Sequence, residues 1–263
     1  MPTTTPTIPH TAPLIGRVHS LETGSTTDGP GIRSVVFMQG CRLRCLYCHN
    51  PDTWAHEGGT AMAPQDLVSL LMRNLPYYQA SGGGVTVSGG EPTLQQPFVT
   101  AVFKQCHAQG IHTTLDTSGY AEWTPELEAL LDETDLVLLD LKDGRPEQHK
   151  HLCGGELDTV LAFLHACVAR KQRLWIRHVL VPEHTLTPEA LQALAHALAP
   201  VWHGIDHLDL LPYHRLGEHK WAELGKHYPL HGVEQVTQQQ AAEAHALFTT
   251  YLNQALALKP SVL

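Results

Sequence analysis

Short β-branched apolar runs alternate with longer segments of helical period along most of this chain, and that alternation restricts it to the parallel α/β proteins. The spacing predicts strands at Ser34 to Gln39, Gly84 to Ser88, His112 to Asp116, Leu136 to Leu141, Leu174 to Leu180 and His207 to Leu211. Helices are predicted over Gln65 to Tyr78, Gln96 to Gln109, Pro125 to Glu133, Leu157 to Lys171, Pro188 to Leu198 and Gln238 to Leu256. Leu157, Leu161, Leu164 and Val168, like Ala190, Leu191, Leu194 and Leu198, recur at helical spacing and turn one apolar stripe toward a sheet. Right-handed βα units in succession give either an open doubly wound sheet or part of a (β/α) barrel, and periodicity does not choose between them. Both arrangements put ligand-binding groups on the loops at the carboxyl ends of the strands. Unusual polar residues fall in those places: Gly40 to Asn50, Gly89 to Pro92, Asp116-Thr117, Asp140 to Asp143 and Pro212 to His214.

At 263 residues, 43% apolar and 16% charged, the chain is long enough for a sizeable core, and no shift of composition marks a second domain. Residues 14–263 are expected to form one domain, preceded by a disordered Thr/Pro-rich tail over 1–13. Seventeen Lys and Arg against twenty-six Asp and Glu give a net charge of -9, so neither a nucleic-acid partner nor an anionic-membrane anchor is expected. No run approaches the roughly 20 apolar residues of a membrane span, and the opening MPTTTPTIPHTAP lacks the basic and apolar regions of a secretory signal. A cytoplasmic location follows as the expectation. The nineteen His residues are scattered and carry no function by their number.

Of six cysteines, Cys41, Cys45 and Cys48 fall within eight residues, while Cys106, Cys153 and Cys167 are dispersed. An extracellular disulfide framework does not fit a chain of this size without an export signal. Three thiolates on one short loop suit an iron-sulfur cluster, zinc or copper(I). A structural zinc site needs a fourth ligand, which His49 is placed to supply; a cubane cluster held by three cysteines instead leaves one iron open to a ligand. Cys106 and Cys167 lie in helical patterns and read as small core residues.

The stretch GRVHSLETGSTTDGPGIRSVVFMQGCRLRCLYCHNPDTW resembles the N-terminal region of the radical S-adenosylmethionine enzymes, and among them the glycyl-radical-enzyme activases. The likeness continues through SGGGVTVSGGEPTLQ, GIHTTLDTSGY, DLVLLDLK, LWIRHVLVP and LLPYHRLGEHKW, from Leu14 to about Gly232. It implies a radical S-adenosylmethionine core, a partial (β/α)6 barrel of parallel strands with helices outside. It further implies a [4Fe-4S] cluster on Cys41, Cys45 and Cys48, whose open iron chelates S-adenosylmethionine. The resemblance gives contacts to that ligand to Tyr47, Cys48 and His49, to Gly89, Gly90 and Glu91, to Asp140, Leu141 and Lys142, and to His214. A monovalent cation is implied at Asp116, Thr117, Asp140 and the Leu141 backbone.

Each of these residues also has a plainer reading: a tight turn for Gly89 and Gly90, a strand-end cap for Asp140, a solvated charge for Lys142, a structural imidazole for His214. In the resembling family, TTDGPGIR precedes the cluster and meets the glycine-bearing loop of the partner, so Asp28 and Arg33 are expected to make that contact. Only 40 residues separate Cys48 from Gly89, too few for the cysteine-rich insert of many other activases. The implied partner is therefore pyruvate formate-lyase, with flavodoxin or ferredoxin as electron donor. An activase for another glycyl radical protein, and a zinc- or cluster-binding scaffold without turnover, are the alternatives.

Overall fold

A computed structural model describes residues 13–258. The predicted tail over 1–13 lies, except for Pro13, outside the described residues. The six predicted parallel strands are present as β2 (Arg33–Met38), β4 (Gly84–Gly89), β5 (His112–Thr117), β6 (Leu136–Asp140), β7 (Leu174–Leu180) and β8 (His207–Pro212). Two further strands, β1 (Gly16–Ser25) and β3 (Thr60–Met62), extend the sheet, giving the order β3-β1-β2-β4-β5-β6-β7-β8. β1 runs antiparallel to both β2 and β3, and every pair from β2 to β8 is parallel. Val35, Val36, Val85, Val87, Val137 and Leu139 are buried in the centre of the sheet, as strands covered on both faces require.

Four spacings of ~4.8 Å would set β2 and β7 about 19 Å apart in a flat sheet. Yet Arg177 on β7 reaches Asp28, just ahead of β2, at 3.6 Å. The rings of His49 after β2 and His214 after β8 likewise pack together, tilted by 38°, with centroids 4.3 Å apart. The sheet therefore curls on itself and remains open between β3 and β8, a partial barrel rather than a doubly wound sheet.

The helices are α1 (Pro64–Leu71), α2 (Leu75–Ser81), α3 (Gln96–His107), α4 (Pro125–Asp132), α5 (Pro146–Cys153), α6 (Leu157–Ala169), α7 (Pro188–Leu198), α8 (Glu218–Glu223) and α9 (Gln238–Ala257). The single helix predicted over Gln65 to Tyr78 is broken into α1 and α2, because Pro76 has no N–H for the carbonyl of Met72. The helix predicted to end at Lys171 stops at Ala169, and Lys171 itself takes a left-handed φ of 57°. Thr124, Thr187 and Thr237 cap α4, α7 and α9 by accepting a backbone N–H. Cys106 and Cys167 are buried on α3 and α6, as expected. Among the described residues no single helix is long and apolar enough to cross a membrane.

Arg33 departs from expectation. Instead of facing a partner it is 0% exposed at the floor of the barrel, on the same face of β2 as Phe37, four residues on. Its Nε donates to Thr86 Oγ1 at 2.7 Å, Nη1 to the Pro30 carbonyl at 3.0 Å, and Nη2 to the Val85 carbonyl at 2.6 Å and Thr114 Oγ1 at 2.8 Å. Burial lowers its pKa to about 10, so the group stays charged at neutral pH. The guanidinium ties β2, β4, β5 and the turn before β2 together, and its fork is used up within the chain. Arg33→Met should lower stability by about 3 kcal/mol, because several buried oxygens lose their donor. Urea unfolding followed by circular dichroism measures this, and Arg33→Lys, with a single ammonium, should recover little of the loss.

Candidate active site

The inward side chains near the carboxyl ends of the strands line a cavity of about 560 Å³. Strand register builds its floor: Phe37 pairs with Ser88, and two residues further along the register Asp140 pairs with Arg177. Cys41, Cys45, Tyr47, Cys48 and His49 enter from the loop after β2. The loop is fixed by backbone bonds: Gly40 N–H donates to Thr53 O at 2.7 Å, Arg44 N–H to Cys153 O at 2.8 Å, and Leu46 N–H to Leu152 O at 2.9 Å. Trp221 on α8 closes it from the far side by donating to the Cys48 carbonyl at 2.9 Å.

The three thiols differ. Burial pushes Cys41 up to about 12, reinforced by the Glu91 charge, and burial likewise pushes Cys48 up to about 12. A hydrogen bond from Cys153 pulls Cys45 down to about 7 against the effect of its own burial. Among the described residues, no three His, Cys, Asp or Glu side chains converge on one point as ligands of a single ion. His49 directs Nε2 at the His214 carbonyl, 3.1 Å away, and burial keeps its ring neutral. A closed zinc site on Cys41, Cys45, Cys48 and His49 does not match this arrangement, whereas a polynuclear cluster spreads its thiolate ligands over several metal atoms.

The Gly89-Gly90 turn at the end of β4 lets backbone approach the cysteine loop. Gly89 has φ 110°, and a Cβ there would stand 2.2 Å from the Met38 nitrogen; one on Gly90 would stand 2.1 Å from the Gly40 carbonyl oxygen. Glu91 is buried and saturated. Its Oε1 accepts from Thr93 N–H at 3.1 Å, Thr93 Oγ1 at 2.7 Å and Thr117 Oγ1 at 2.6 Å, and its Oε2 accepts from the Ser118 N–H and hydroxyl. It thus joins the β4 and β5 loops and lies behind the cavity surface, where the sequence suggested a ligand contact.

Arg177, which the sequence reading passed over, is the centre of the charge network. It meets Asp116 Oδ1 at 2.6 Å, Asp140 Oδ1 at 3.2 Å and Asp28 Oδ1 at 3.6 Å. Lys142 binds the other Asp140 oxygen at 2.6 Å and lies 5.7 Å from the Tyr47 ring centroid. Burial would raise Asp140, but Lys142 and then Arg177 hold it down at about 2. At Asp116 burial prevails over Arg177 and lifts the pKa to about 6. The residues expected around a monovalent cation are therefore engaged: Asp116 and Asp140 with Arg177, Thr117 with Glu91, and the Leu141 carbonyl with His178 Nδ1 at 2.7 Å. An arginine in the middle of a largely apolar strand was the available signal, since such a charge needs buried acids.

Among the described residues, Tyr47 Oη and His214 Nδ1 are buried polar atoms without a partner, and both residues line the cavity. Unsatisfied buried groups at a cavity wall fit a bound polar ligand. Cys41, Cys45, Cys48, Tyr47, His49, Gly89, Gly90, Asp140, Lys142, His214, Asp116, Thr117 and Asp28 all line this one cavity; Glu91, Leu141 and Arg33 do not.

The sequence model of the Radical SAM superfamily matches residues 35–196. A pyruvate formate-lyase-activating enzyme of Listeria monocytogenes is 44% identical over 242 residues, covering 90% of this chain and 97% of that protein. The pyruvate formate-lyase 1-activating enzyme of Escherichia coli K12 is 43% identical over 222 residues, covering 84% and 90%. Among solved structures, Streptococcus suis SuiB bound to S-adenosylmethionine shares the fold with a TM-score of 0.60 at 17% identity, over 81% of this chain and 45% of that one. A domain of a pyruvate-formate lyase-activating enzyme from Bacteroides vulgatus superposes with a TM-score of 0.54 at 22% identity, over 64% of this chain and 94% of that one. With its partial barrel, its cysteine loop at the barrel mouth and relatives of this closeness, the chain belongs to the radical SAM superfamily and, within it, to the family of pyruvate formate-lyase-activating enzymes.

Proposed function

We propose that this chain installs a glycyl radical on pyruvate formate-lyase. The observation that carries the reading is one cavity that gathers three cysteine sulfurs with the unpaired Tyr47 Oη and His214 Nδ1. When bound, a [4Fe-4S] cluster and S-adenosylmethionine supply the reductive carbon–sulfur cleavage whose 5′-deoxyadenosyl radical takes a hydrogen atom from the glycine Cα. Cys41, Cys45 and Cys48 would hold three irons. Lys142, charged and oriented by Asp140, would meet the carboxylate of S-adenosylmethionine, while Tyr47, His49 and His214 supply aromatic walls and polar atoms for its adenosyl part. Gly89 and Gly90 bring backbone, with no side chain between, up to the methionyl end.

Asp28 and Arg177 face the same cavity, so the glycine-bearing loop of the partner would enter beside them and bring its Cα to near-attack distance, on the order of 3 to 3.5 Å. Arg33 supports this contact by holding the turn that carries Asp28. Flavodoxin or ferredoxin is the proposed electron donor. Arg177 already provides positive charge between Asp116 and Asp140, which supports a site that works without a monovalent cation.

Protein prepared without air should contain about four iron and four sulfide per chain. Cys45→Ala should lose that cluster and the cleavage of S-adenosylmethionine while its far-ultraviolet circular dichroism stays unchanged. Incubation with reductant, S-adenosylmethionine and pyruvate formate-lyase should give the doublet of a glycine-centred radical in electron paramagnetic resonance; a full cluster without that signal would refute the proposed partner. Lys142→Ala should raise the KM for S-adenosylmethionine about ten- to a hundredfold, the equivalent of one charge-assisted hydrogen bond of ~1.5–3 kcal/mol.

A further inference from the structure

His178 on β7 is buried and lines no part of the cavity. It follows Arg177 directly, so the two side chains leave opposite faces of the sheet, Arg177 into the cavity and His178 to the outer side. Together they hold the two residues that precede Lys142. Arg177 Nε meets Asp140 Oδ1 at 3.2 Å, and the Arg177 carbonyl accepts the Leu141 N–H at 3.0 Å. Because Asp140 pairs with Arg177, Leu141 would pair next with His178, and the following rung of a parallel ladder would run from Val179 N–H to the Leu141 carbonyl. That rung is not made among the described residues; the His178 ring takes the carbonyl instead, with Nδ1 2.7 Å from the oxygen. A carbonyl only accepts, so Nδ1 carries the hydrogen. Burial keeps the ring neutral, and its Nε2 has no partner. A side chain rather than backbone therefore fixes the peptide that leads from the last rung of the sheet into Lys142. On the other side of Lys142, the buried Asp143 carboxylate accepts from Arg145 N–H at 2.7 Å and Nε at 2.9 Å.

Lys142 is thus a flexible side chain on a backbone anchored before and after it, with Nζ 2.6 Å from Asp140 Oδ2. An ammonium on a four-carbon stem meets a ligand at full strength only when its Cα points the right way, and a shift of about 1 Å at such a group is costly. We propose that His178 is a positioning residue for Lys142, fixing the Leu141–Lys142 peptide from the outer face of the sheet and so aiming the ammonium at the carboxylate of S-adenosylmethionine. This rests on the reading of Lys142 as the group that meets that carboxylate. The competing role is that of an ordinary core residue, whose ring fills space and satisfies one buried carbonyl without bearing on the ligand.

A double-mutant cycle separates the two roles. His178→Asn keeps a donor near the position of Nδ1, and His178→Leu keeps bulk without a donor. Each is made alone and together with Lys142→Ala, reconstituted without air, and titrated with S-adenosylmethionine by calorimetry in the absence of reductant, so that binding is read without turnover. His178→Leu should raise the dissociation constant about tenfold, as expected when the support of a ligand-binding group is lost. His178→Asn should stay within about threefold of wild type. In the Lys142→Ala background His178→Leu should change the constant less than about twofold, because the group it aims is gone. A tenfold effect of His178→Leu with and without Lys142 is the signature of a core residue and would overturn the proposal, as would equal binding by the Asn and Leu variants. Should His178→Leu not fold, His178→Phe, a ring without a donor, takes its place under the same criteria. If Lys142→Ala alone leaves binding unchanged, the reading of Lys142 fails and this proposal with it; if Lys142→Ala weakens binding and His178→Leu does not, the proposal alone fails.

Discussion

Arg177 sets one guanidinium against carboxylates from three separate elements: Asp28 ahead of β2, Asp116 on β5 and Asp140 on β6. With Lys142 on Asp140, the mouth of the barrel holds three acids against two bases at close range. Breaking such a network by removing one partner leaves an uncompensated buried charge, which costs far more than a surface pair. The same charges bridge strands across the cavity and hold the curl of the sheet in the place where a ligand must sit. Asp116 at about 6 and Asp140 at about 2 show how unevenly the bases serve two neighbours: Lys142 joins Arg177 at Asp140, whereas at Asp116 burial outweighs Arg177.

Below this level the barrel floor is held by a second arginine with a different kind of partner. Arg33 meets hydroxyls and carbonyls, and no carboxylate lies within ion-pair distance among the described residues. A planar fork of donors suits that task, since its N–H groups reach β4, β5 and the turn before β2 at once. The two levels have distinct functions. The lower one is closed and structural, while the upper one carries its charges on a cavity wall and keeps unpaired polar atoms at Tyr47 and His214.

The parallel strands and most helices were legible because their apolar residues repeat at periods of two and 3.6 over enough length to stand out. β1 was not: beyond Val18 it is half-buried or exposed and mixes Ser, Glu, Thr and Gly, and three-residue β3 has no room for a pattern. α5 and α8 are short and polar, so their docking is decided by tertiary contacts such as the Trp221 bond to Cys48. In the site, the cysteine loop, the glycine turn, Asp140-Lys142 and His214 were found from motif and resemblance. Arg33 was misplaced because a motif does not say which face of a strand its residues occupy. The parity of Arg33 with Phe37 held that information. Arg177 escaped because its significance lies entirely in partners remote in sequence: Asp28, Asp116 and Asp140.

The wall of this cavity is assembled from residues between Thr27 and His214, with the cysteines near the beginning of that interval and the His214 wall at its end. During synthesis, roughly 165 residues must follow Cys48 before His214 exists. At about 5–20 residues per second, that interval lasts about 10 to 30 seconds. For most of it the three sulfurs lie outside the ribosome without the far side of their pocket, so the growing chain depends on its surroundings, rather than on its own architecture, to keep them from oxidants and stray metals.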